Sequence, residues 1–271
     1  YKLGYTFPAL FHVGNDGWVL VSETGVSSHY AGTKLSEGTQ DGLYTIAFPE
    51  KAENGGVGDA TIAASIPSLT SWKTITVGET LKPIVETTSA YDNVRPLYEP
   101  TQVYQPGRST WSWILWQDAS CNYKDQQTFI DLAAAMGYEY ILIGYENMPS
   151  LIAYAQSKGV DVLLWYNSNG NWNDAPQGPK HRLDSAPARQ KEMAWMKTLG
   201  VKGIKVDFFG GDKQTTMKLY EDILTDANQY GIAVVFHGCT LPRGWERMYP
   251  NYVGSEAVLA SENMVFNQHF C

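Results

Sequence analysis

The sequence predicts an α/β fold in which a (β/α)8 TIM-type barrel follows part of a β-sandwich domain. The first observation is a change of rhythm along the 271 residues, because short alternating segments fill residues 1–105 and strand–helix pairs fill residues 106–271. The second is a strand within residues 201–211 (VKGIKVDFFGG) that carries charged side chains at its C-terminal end, where barrels carry their functional residues. We therefore predict the C-terminal part of the sandwich up to residue 105, and about six barrel strands after it.

The first segment shows the pattern of β-strands. Residues 18–23 are a short apolar run that ends in an acid, and apolar and polar residues alternate at residues 42–48 and 71–77, with glycine, proline and asparagine between these stretches. Residues 81–86 continue the pattern, so we predict a strand there as well. Residues 93–107 contain three prolines, and we interpret them as a linker. No amphipathic helix stands out, which favours a sandwich.

The second segment alternates between strands and helices, which is typical of a parallel sheet with right-handed crossovers. We predict strands at residues 111–116, 139–143, 159–166, 201–209, 232–237 and 253–257. We predict helices at residues 125–136, 149–158, 187–199 and 214–229. Six strands are two fewer than a closed barrel has, and the chain begins without Met, so we expect it to be a processed or trimmed piece.

Lys205 and Asp207 are two positions apart and therefore lie on the same face of the central strand. Desolvating such a pair costs on the order of several kcal/mol unless partners or a ligand compensate. One interpretation is a buried ion pair that holds the strands together. The position at the C-terminal end of a barrel strand favours the other, in which Asp207 is a catalytic carboxylate.

Composition and motifs exclude several classes of function. The formal net charge of −8 argues against nucleic acid as a partner, and no apolar run is long enough for membrane insertion. No signal peptide is visible. Cys121, Cys239 and Cys271 lack the spacing of a metal site, and whether any two of them form a disulfide stays open. The sequence also lacks a phosphate-binding glycine loop, a zinc-ligand cluster and the elbow of a nucleophilic serine.

Acidic and aromatic residues instead collect at the predicted strand ends. They are Asp118, Glu146, Trp165, Lys205, Asp207, His237, Glu256 and Glu262. Two opposed carboxylates on an aromatic rim are what glycoside hydrolysis requires. We expect the substrate, an oligosaccharide or other glycoside, to contact Lys205, His237, Trp165 and Asp118.

The sequence predicts different roles for three tryptophans near these strand ends. Trp165 and Trp116 fit a sugar-stacking platform and a packed core equally well, so their role stays open at this point. Trp113 is expected in the core.

Four motifs in the same order resemble glycoside hydrolase family 97. They are residues 205–208 (KVDF), His237-Gly238, residues 247–251 (RMYPN) and residues 256–262 (EAVLASE). The resemblance covers residues 108–262, and residues 1–105 fit the end of the β-sandwich that precedes the barrel of that family. It implies an exo-acting α-galactosidase or α-glucosidase that depends on calcium and is periplasmic or secreted.

The resemblance also implies roles for single residues. Asp207 is similar to the nucleophile of the retaining members, and Glu262 is similar to their general acid/base. Inverting members have a glutamate after the histidine of the fifth strand, where this chain has Gly238, so retention is implied. Glu256 and Glu262 match calcium-binding positions, and Glu23 is similar to a calcium-binding glutamate that the sandwich contributes across the domain interface.

Departures from the motifs leave the substrate open. Ala257 and Ala260 stand where the family has glycines, and residues 143–147 (IGYEN) differ from the family's usual Asp followed by Gly-Trp. We expect a retaining α-galactosidase, because members with this KVDF and His-Gly combination are typically α-galactosidases. The alternatives are an α-glucosidase, a catalytically inactive carbohydrate-binding relative and an inert fragment.

Overall fold

The computed structural model describes residues 4–63, 65–144, 147–168, 175–241 and 243–265. The chain divides into two compact units, each made of three segments. The first unit comprises Tyr1–Glu99, Gly210–Asp222 and Thr240–Pro250, and the second comprises Pro100–Phe209, Ile223–Cys239 and Asn251–Cys271. The predicted domain boundary after residue 105 stays a prediction.

Antiparallel strands form the sheets of the first unit. They are β1 (Ala9–Val13), β2 (Gly17–Thr24), β3 (Lys34–Leu35), β4 (Ile46–Ala47) and β5 (Trp72–Gly78). β2 lies between β1 and β5 in one sheet, and β3 pairs with β4 in another. The strands predicted at residues 18–23 and 71–77 are confirmed, whereas residues 42–48 pair only at β4, and β1 has no counterpart among the predictions. Phe7, Ala9 and Leu35 form a small buried cluster, against which Phe11 and Val21 pack.

The prediction of a strand at residues 81–86 is wrong. Helix α1 (Lys82–Glu86) occupies this stretch, and α2 (Ser89–Asp92) follows it. Pro83 stands in the first turn of α1, where its missing N–H costs no hydrogen bond and its fixed φ suits a helix. In a strand the same proline would have removed a hydrogen-bond donor from the sheet. Pro83 therefore favours a helix more strongly than the pattern of residues 81–86 favours a strand.

The second unit is built on a sheet of six parallel strands. They are β6 (Ser109–Thr110), β7 (Tyr140–Ile143), β8 (Asp161–Asn167), β9 (Gly203–Asp207), β10 (Ala233–His237) and β11 (Tyr252–Glu256). Strands that are neighbours in the sheet are also neighbours in sequence, which is the order of a (β/α)8 barrel. The predicted TIM-type barrel is therefore confirmed, with β9 hydrogen-bonded to β8 on one side and β10 on the other.

Helices separate the strands of this sheet along the chain. They are α3 (Trp113–Trp116), α4 (Tyr123–Met136), α5 (Met148–Ser157), α6 (Ala186–Thr198), α7 (Gln214–Tyr230) and α8 (Trp245–Met248). α4 begins where the Asn122 side chain accepts the N–H of Asp125, and it ends at Gly137 in the left-handed conformation, as predicted. Among the described residues, no helix is both long enough and apolar enough to cross a membrane.

The prediction of a strand at residues 111–116 is also wrong. β6 stops at Thr110, and the tryptophan-rich run turns into α3. Ile114 and Leu115 are 50% and 67% exposed, so the run does not form the buried strand that its hydrophobicity indicated. A short apolar run without alternation fits a helix as well as a strand.

β9 is buried along its whole length, although it contains two charged residues. Ile204 and Val206 are almost completely buried, and Lys205 and Asp207 are only 8% and 6% exposed. An ammonium and a carboxylate at such depth require compensating contacts close by.

Candidate active site

Three neighbouring strands end in ionisable side chains. Asp207 is the last residue of β9, His237 of β10 and Glu256 of β11. Because parallel strands present their carboxyl ends at one edge of the sheet, these side chains meet there. Glu262 joins them from the 3₁₀ turn Ser261–Val265 after β11. The structure thus brings Asp207, Glu256 and Glu262 together with the predicted His237.

The carboxylate of Asp207 is held through one of its two oxygens. Its Oδ1 accepts a hydrogen bond from the Phe208 backbone N–H at 2.7 Å and another from His237 Nδ1 at 2.9 Å. A carboxylate only accepts, so Nδ1 carries the proton. Among the described residues, none donates to Oδ2. One oxygen is therefore held by two donors, and the described residues supply none to the other.

His237 connects Asp207 to the two glutamates. Its Nε2 lies 3.1 Å from Glu262 Oε1 and 3.2 Å from Glu256 Oε2. Burial opposes the charged imidazolium, but the hydrogen bond and the charge of Asp207 outweigh burial, so the pKa of His237 is raised. Glu262 Oε2 is buried and accepts no hydrogen bond from any described residue.

Lys205 lies next to this group of acids, between Glu256 and Trp111. Its Nζ is 3.6 Å from Glu256 Oε2 and 3.9 Å from the ring centroid of Trp111. Burial lowers the pKa of Lys205, and the charges of Glu256, Asp207 and Glu262 oppose that effect only in part. Within the described part of the chain its ion pair is with Glu256, not the direct pair with Asp207 that one interpretation of the sequence considered.

A cavity of about 760 Å³ opens at this edge of the sheet. Acidic and aromatic side chains make up much of its wall, namely Asp118, Asp207, Glu262, Trp111, Trp113 and Trp165. This volume suits a sugar-sized ligand. The expectation that Trp113 belongs to the core is wrong, whereas Trp116 is not among the residues that line the cavity.

The contacts of Asp118 and Lys205 could not be predicted from the sequence alone. Asp118 Oδ1 accepts the indole N–H of Trp113 at 2.7 Å, and its Oδ2 accepts the Gln177 side-chain N–H at 3.2 Å. Lys205 lines a second cavity of about 640 Å³, which Trp111 lines as well. The predicted contacts of Asp118 and Lys205 with substrate stay predictions, and Glu146 lies outside the described residues.

Glu23 is buried within the first unit, in a network of charges and hydroxyls. Its Oε1 lies 3.0 Å from Arg243 Nη1 and accepts the Thr33 backbone N–H at 3.1 Å. Its Oε2 accepts from Ser71 Oγ at 2.8 Å and from Lys73 Nζ at 2.9 Å. Burial alone would raise the pKa of Glu23, but the charges of Arg243 and Lys73 outweigh it, and the pKa is lowered. A calcium ion on Glu23 would have to displace some of these donors, and its predicted calcium role stays a prediction.

His237, Glu256 and Glu262 offer ligand atoms around a common point. One atom from each lies within 4.8 Å of the other two. Carboxylate oxygens are the ligands that calcium prefers, whereas an imidazole nitrogen is not one of its usual ligands. Glu256 and Glu262 therefore fit the predicted calcium site, and His237 fits better as a hydrogen-bond partner of the acids.

Models of two protein families match the chain. One is described as Glycoside hydrolase 97 and matches residues 104–258, and the other is described as Glycosyl-hydrolase 97 N-terminal and matches residues 1–96. A curated protein of Streptomyces bingchenggensis (strain BCW-1), "Probable retaining alpha-galactosidase", is 26% identical over 284 aligned positions, covering 96% of this chain and 41% of that protein.

Two solved structures resemble the chain as well. One described as a beta-arabinopyranosidase has a TM-score of 0.96 and 63% sequence identity, covering 100% of this chain and 44% of that one. A Glycoside Hydrolase Family 97 enzyme from Pseudoalteromonas sp. strain K8, in complex with acarbose, has a TM-score of 0.75 and 17% identity, covering 96% and 45%. The second likeness concerns the fold alone. The chain spans less than half the length of these relatives.

Gly238 allows no side chain next to Asp207. Its φ is 50°, and an added Cβ would lie 2.8 Å from Asp207 Oδ1. Gly238→Ala should therefore push the carboxylate away from His237 and lower kcat on aryl glycosides by about 10²-fold, the cost of a misplaced reacting group. Steady-state kinetics and the melting temperature of the full-length protein check this.

Gly254→Ala is the matched control, because an added Cβ on Gly254 in β11 meets nothing within 4 Å. It should leave kcat within about threefold, which is less than 1 kcal/mol. Full activity in Gly238→Ala would contradict the tight packing of Asp207 against residue 238.

Proposed function

The chain belongs to glycoside hydrolase family 97, and from that premise we propose that it acts as a retaining, exo-acting α-glycoside hydrolase. The observation that carries the proposal is the hydrogen bonding of the Asp207 carboxylate. One of its oxygens is fixed by Phe208 N–H and His237, while the other has no donor among the described residues. Such a carboxylate is suited to attack, and Glu262 lines the same cavity.

In the first step, Asp207 Oδ2 forms a bond to the anomeric carbon as the bond from that carbon to the glycosidic oxygen breaks. Glu262 gives its proton to the departing oxygen, and a covalent glycosyl-enzyme results. His237 keeps Asp207 Oδ1 in place through Nδ1–H, so the attacking carboxylate does not have to be ordered during the reaction.

In the second step, Glu262 takes a proton from water, and the water oxygen displaces Asp207 from the anomeric carbon. Two inversions give net retention. His237 contacts Asp207 Oδ1 and Glu262 Oε1, so we assign the reacting roles to the other oxygens, Asp207 Oδ2 and Glu262 Oε2. The separation of about 5 to 5.5 Å between carboxyl groups that retention requires stays a prediction.

The substrate class we propose is pyranosides with the ring configuration of galactose. The 26% identical Streptomyces relative is named an alpha-galactosidase, and the 63% identical structure is described as a beta-arabinopyranosidase. β-L-Arabinopyranose has the ring of α-D-galactopyranose without its C6 hydroxymethyl group, so one sugar-binding site can accept both. An α-glucoside differs at the C4 hydroxyl and is the less favoured substrate.

Calcium is part of the proposal, with Glu256 and Glu262 as the residues of the barrel that would hold it. A bound calcium ion offsets the like charges of crowded carboxylates and orders sugar hydroxyls. The acids Asp207, Glu256 and Glu262, with their contacts to one imidazole, support a cation in this place.

Replacing the two acids should separate their roles. Asp207→Asn should abolish turnover of all substrates, because the nucleophile is lost. Glu262→Gln should slow hydrolysis of natural glycosides by about 10²- to 10⁴-fold, but it should spare the first step for an aryl glycoside whose leaving group needs no proton. Burst kinetics with 4-nitrophenyl α-D-galactopyranoside measure both steps.

Glu86→Gln is the control, since Glu86 is an exposed acid in α1 and should leave the kinetics unchanged. An Asp207→Asn protein that retains wild-type turnover would remove the nucleophile assignment.

A comparison of substrates should define specificity. We expect 4-nitrophenyl α-D-galactopyranoside and β-L-arabinopyranoside to have kcat/KM values within about 200-fold of each other, as a single missing group in a pocket allows. The α-D-glucopyranoside should be slower than the better of these by at least about 10²-fold, because its C4 hydroxyl leaves polar groups of the site unpaired. The β-D-galactopyranoside, with the opposite anomeric configuration, is the negative control. Fastest turnover of the glucoside would contradict the proposed substrate class.

A further inference from the structure

A buried ammonium next to the acids of the site has only a long ion pair with Glu256 as its carboxylate contact among the described residues. Lys205 is 8% exposed, and its Nζ is 3.6 Å from the nearest carboxylate oxygen, Glu256 Oε2. That distance is longer than an N–H···O hydrogen bond. Burial of a charge is costly unless compensating contacts are present, and the charges of the nearby carboxylates offset the burial of Lys205 only in part.

Trp111 supplies a further contact. The Lys205 Nζ lies 3.9 Å from the centroid of the indole ring, well inside the range of a cation–π interaction. Tryptophan provides the strongest such contact among the aromatic side chains, and the contact gains strength when water is excluded. It stabilises the charge of Lys205 without using any of its three N–H donors, which stay available for an acceptor such as a sugar hydroxyl.

The orientation of Trp111 is fixed by protein contacts on the cavity wall. Its ring stacks on Trp113, with centroids 5.2 Å apart and an interplanar angle of 19°. The indole N–H of Trp113 is bound by Asp118, which also accepts from Gln177. Trp111 lines both cavities, the one that contains Asp207 and the one that contains Lys205. Trp111 therefore has the Lys205 ammonium against its ring and also lines the cavity that contains Asp207.

We propose that Trp111 is a positioning residue, which holds the Lys205 ammonium where its N–H groups meet a hydroxyl of the bound sugar. Trp111 then acts on substrate through Lys205, and the pair of tryptophans with Asp118 forms its support. The placement of the ammonium over the ring stands independently of the enzyme's activity, whereas the effect on substrate binding rests on the proposed function.

The placement is tested by NMR on the full-length protein with ¹³Cε-labelled lysine. The ring current of Trp111 should move one lysine Cε–H signal upfield of all others. That signal should vanish in Lys205→Met, which assigns it, and return to the ordinary position in Trp111→Leu. Trp111→Phe should keep a smaller shift. The absence of an upfield lysine signal in the wild type would overturn the proposal whether or not the protein hydrolyses glycosides.

The consequence is tested by a double-mutant cycle with 4-nitrophenyl α-D-galactopyranoside. Trp111→Leu should lower kcat/KM by about 10- to 30-fold, the scale of a buried cation–π contact, mainly through KM because the hydroxyl contact is made in ground and transition states alike. Trp111→Phe should restore most of the loss. In the Lys205→Met background, Trp111→Leu should add less than about a further twofold loss.

Trp116→Leu is the matched control, because Trp116 belongs to the same run but does not line the cavity; its KM should stay at the wild-type value. An equal loss from Trp111→Leu with and without Lys205 would overturn the proposal, since Trp111 would then contact the sugar directly. A fall in kcat with unchanged KM would also overturn it. No turnover by the wild type, with the upfield lysine signal present, would refute the proposed function and leave the placement of Lys205 established.

Discussion

The contact of one imidazole with three carboxylates is the interaction on which the second unit's site depends. Asp207, Glu256 and Glu262 all approach His237 at hydrogen-bonding distance. Two like charges about 4 Å apart repel each other by about 4 kcal/mol at an effective dielectric constant of about 20, so such a group requires compensation. The imidazole of His237, whose pKa is raised, offers positive charge to these acids. The ammonium of Lys205 interacts with the same three carboxylates. The proposed cation would add to both.

The barrel sheet makes this concentration of charge possible. Asp207, His237 and Glu256 end consecutive strands of the same sheet. The backbone hydrogen bonds of that sheet therefore hold the two carboxylates next to His237 despite their repulsion of each other. Phe208 follows Asp207 with a φ of 67°, a conformation that costs a residue other than glycine about 1 to 3 kcal/mol. In this conformation its N–H binds Asp207 Oδ1 at 2.7 Å, so the strain at Phe208 accompanies the fixed position of the carboxylate.

The positions of the site acids follow from sequence because strand ends are local features. A charged residue that ends an apolar strand is visible in the pattern, and parallel strands bring such ends together whatever the loops do. Glu262 lies in the 3₁₀ turn after β11, and only the family motif predicts its role as the general acid/base. The network around Glu23 joins β2, β5 and a segment more than two hundred positions away at Arg243, and no local pattern records such contacts.

The positions of the tryptophan side chains could not be predicted from the sequence. Residues 111–116 are apolar except for Ser112, so hydrophobicity alone could not separate a buried strand from a cavity wall followed by a short helix. The stacking of Trp111 on Trp113 and the contact with Lys205 depend on how β6 and β9 are placed in the sheet.

The stereochemistry of the first product tests the central claim most directly. The full-length protein would hydrolyse 4-nitrophenyl α-D-galactopyranoside in an NMR tube, and the anomeric proton signals of galactose would be followed from the first minutes. A nucleophilic Asp207 requires that α-galactose appears first and that the β-anomer grows only by mutarotation. Initial release of β-galactose would mean direct attack by water and would contradict the covalent role of Asp207.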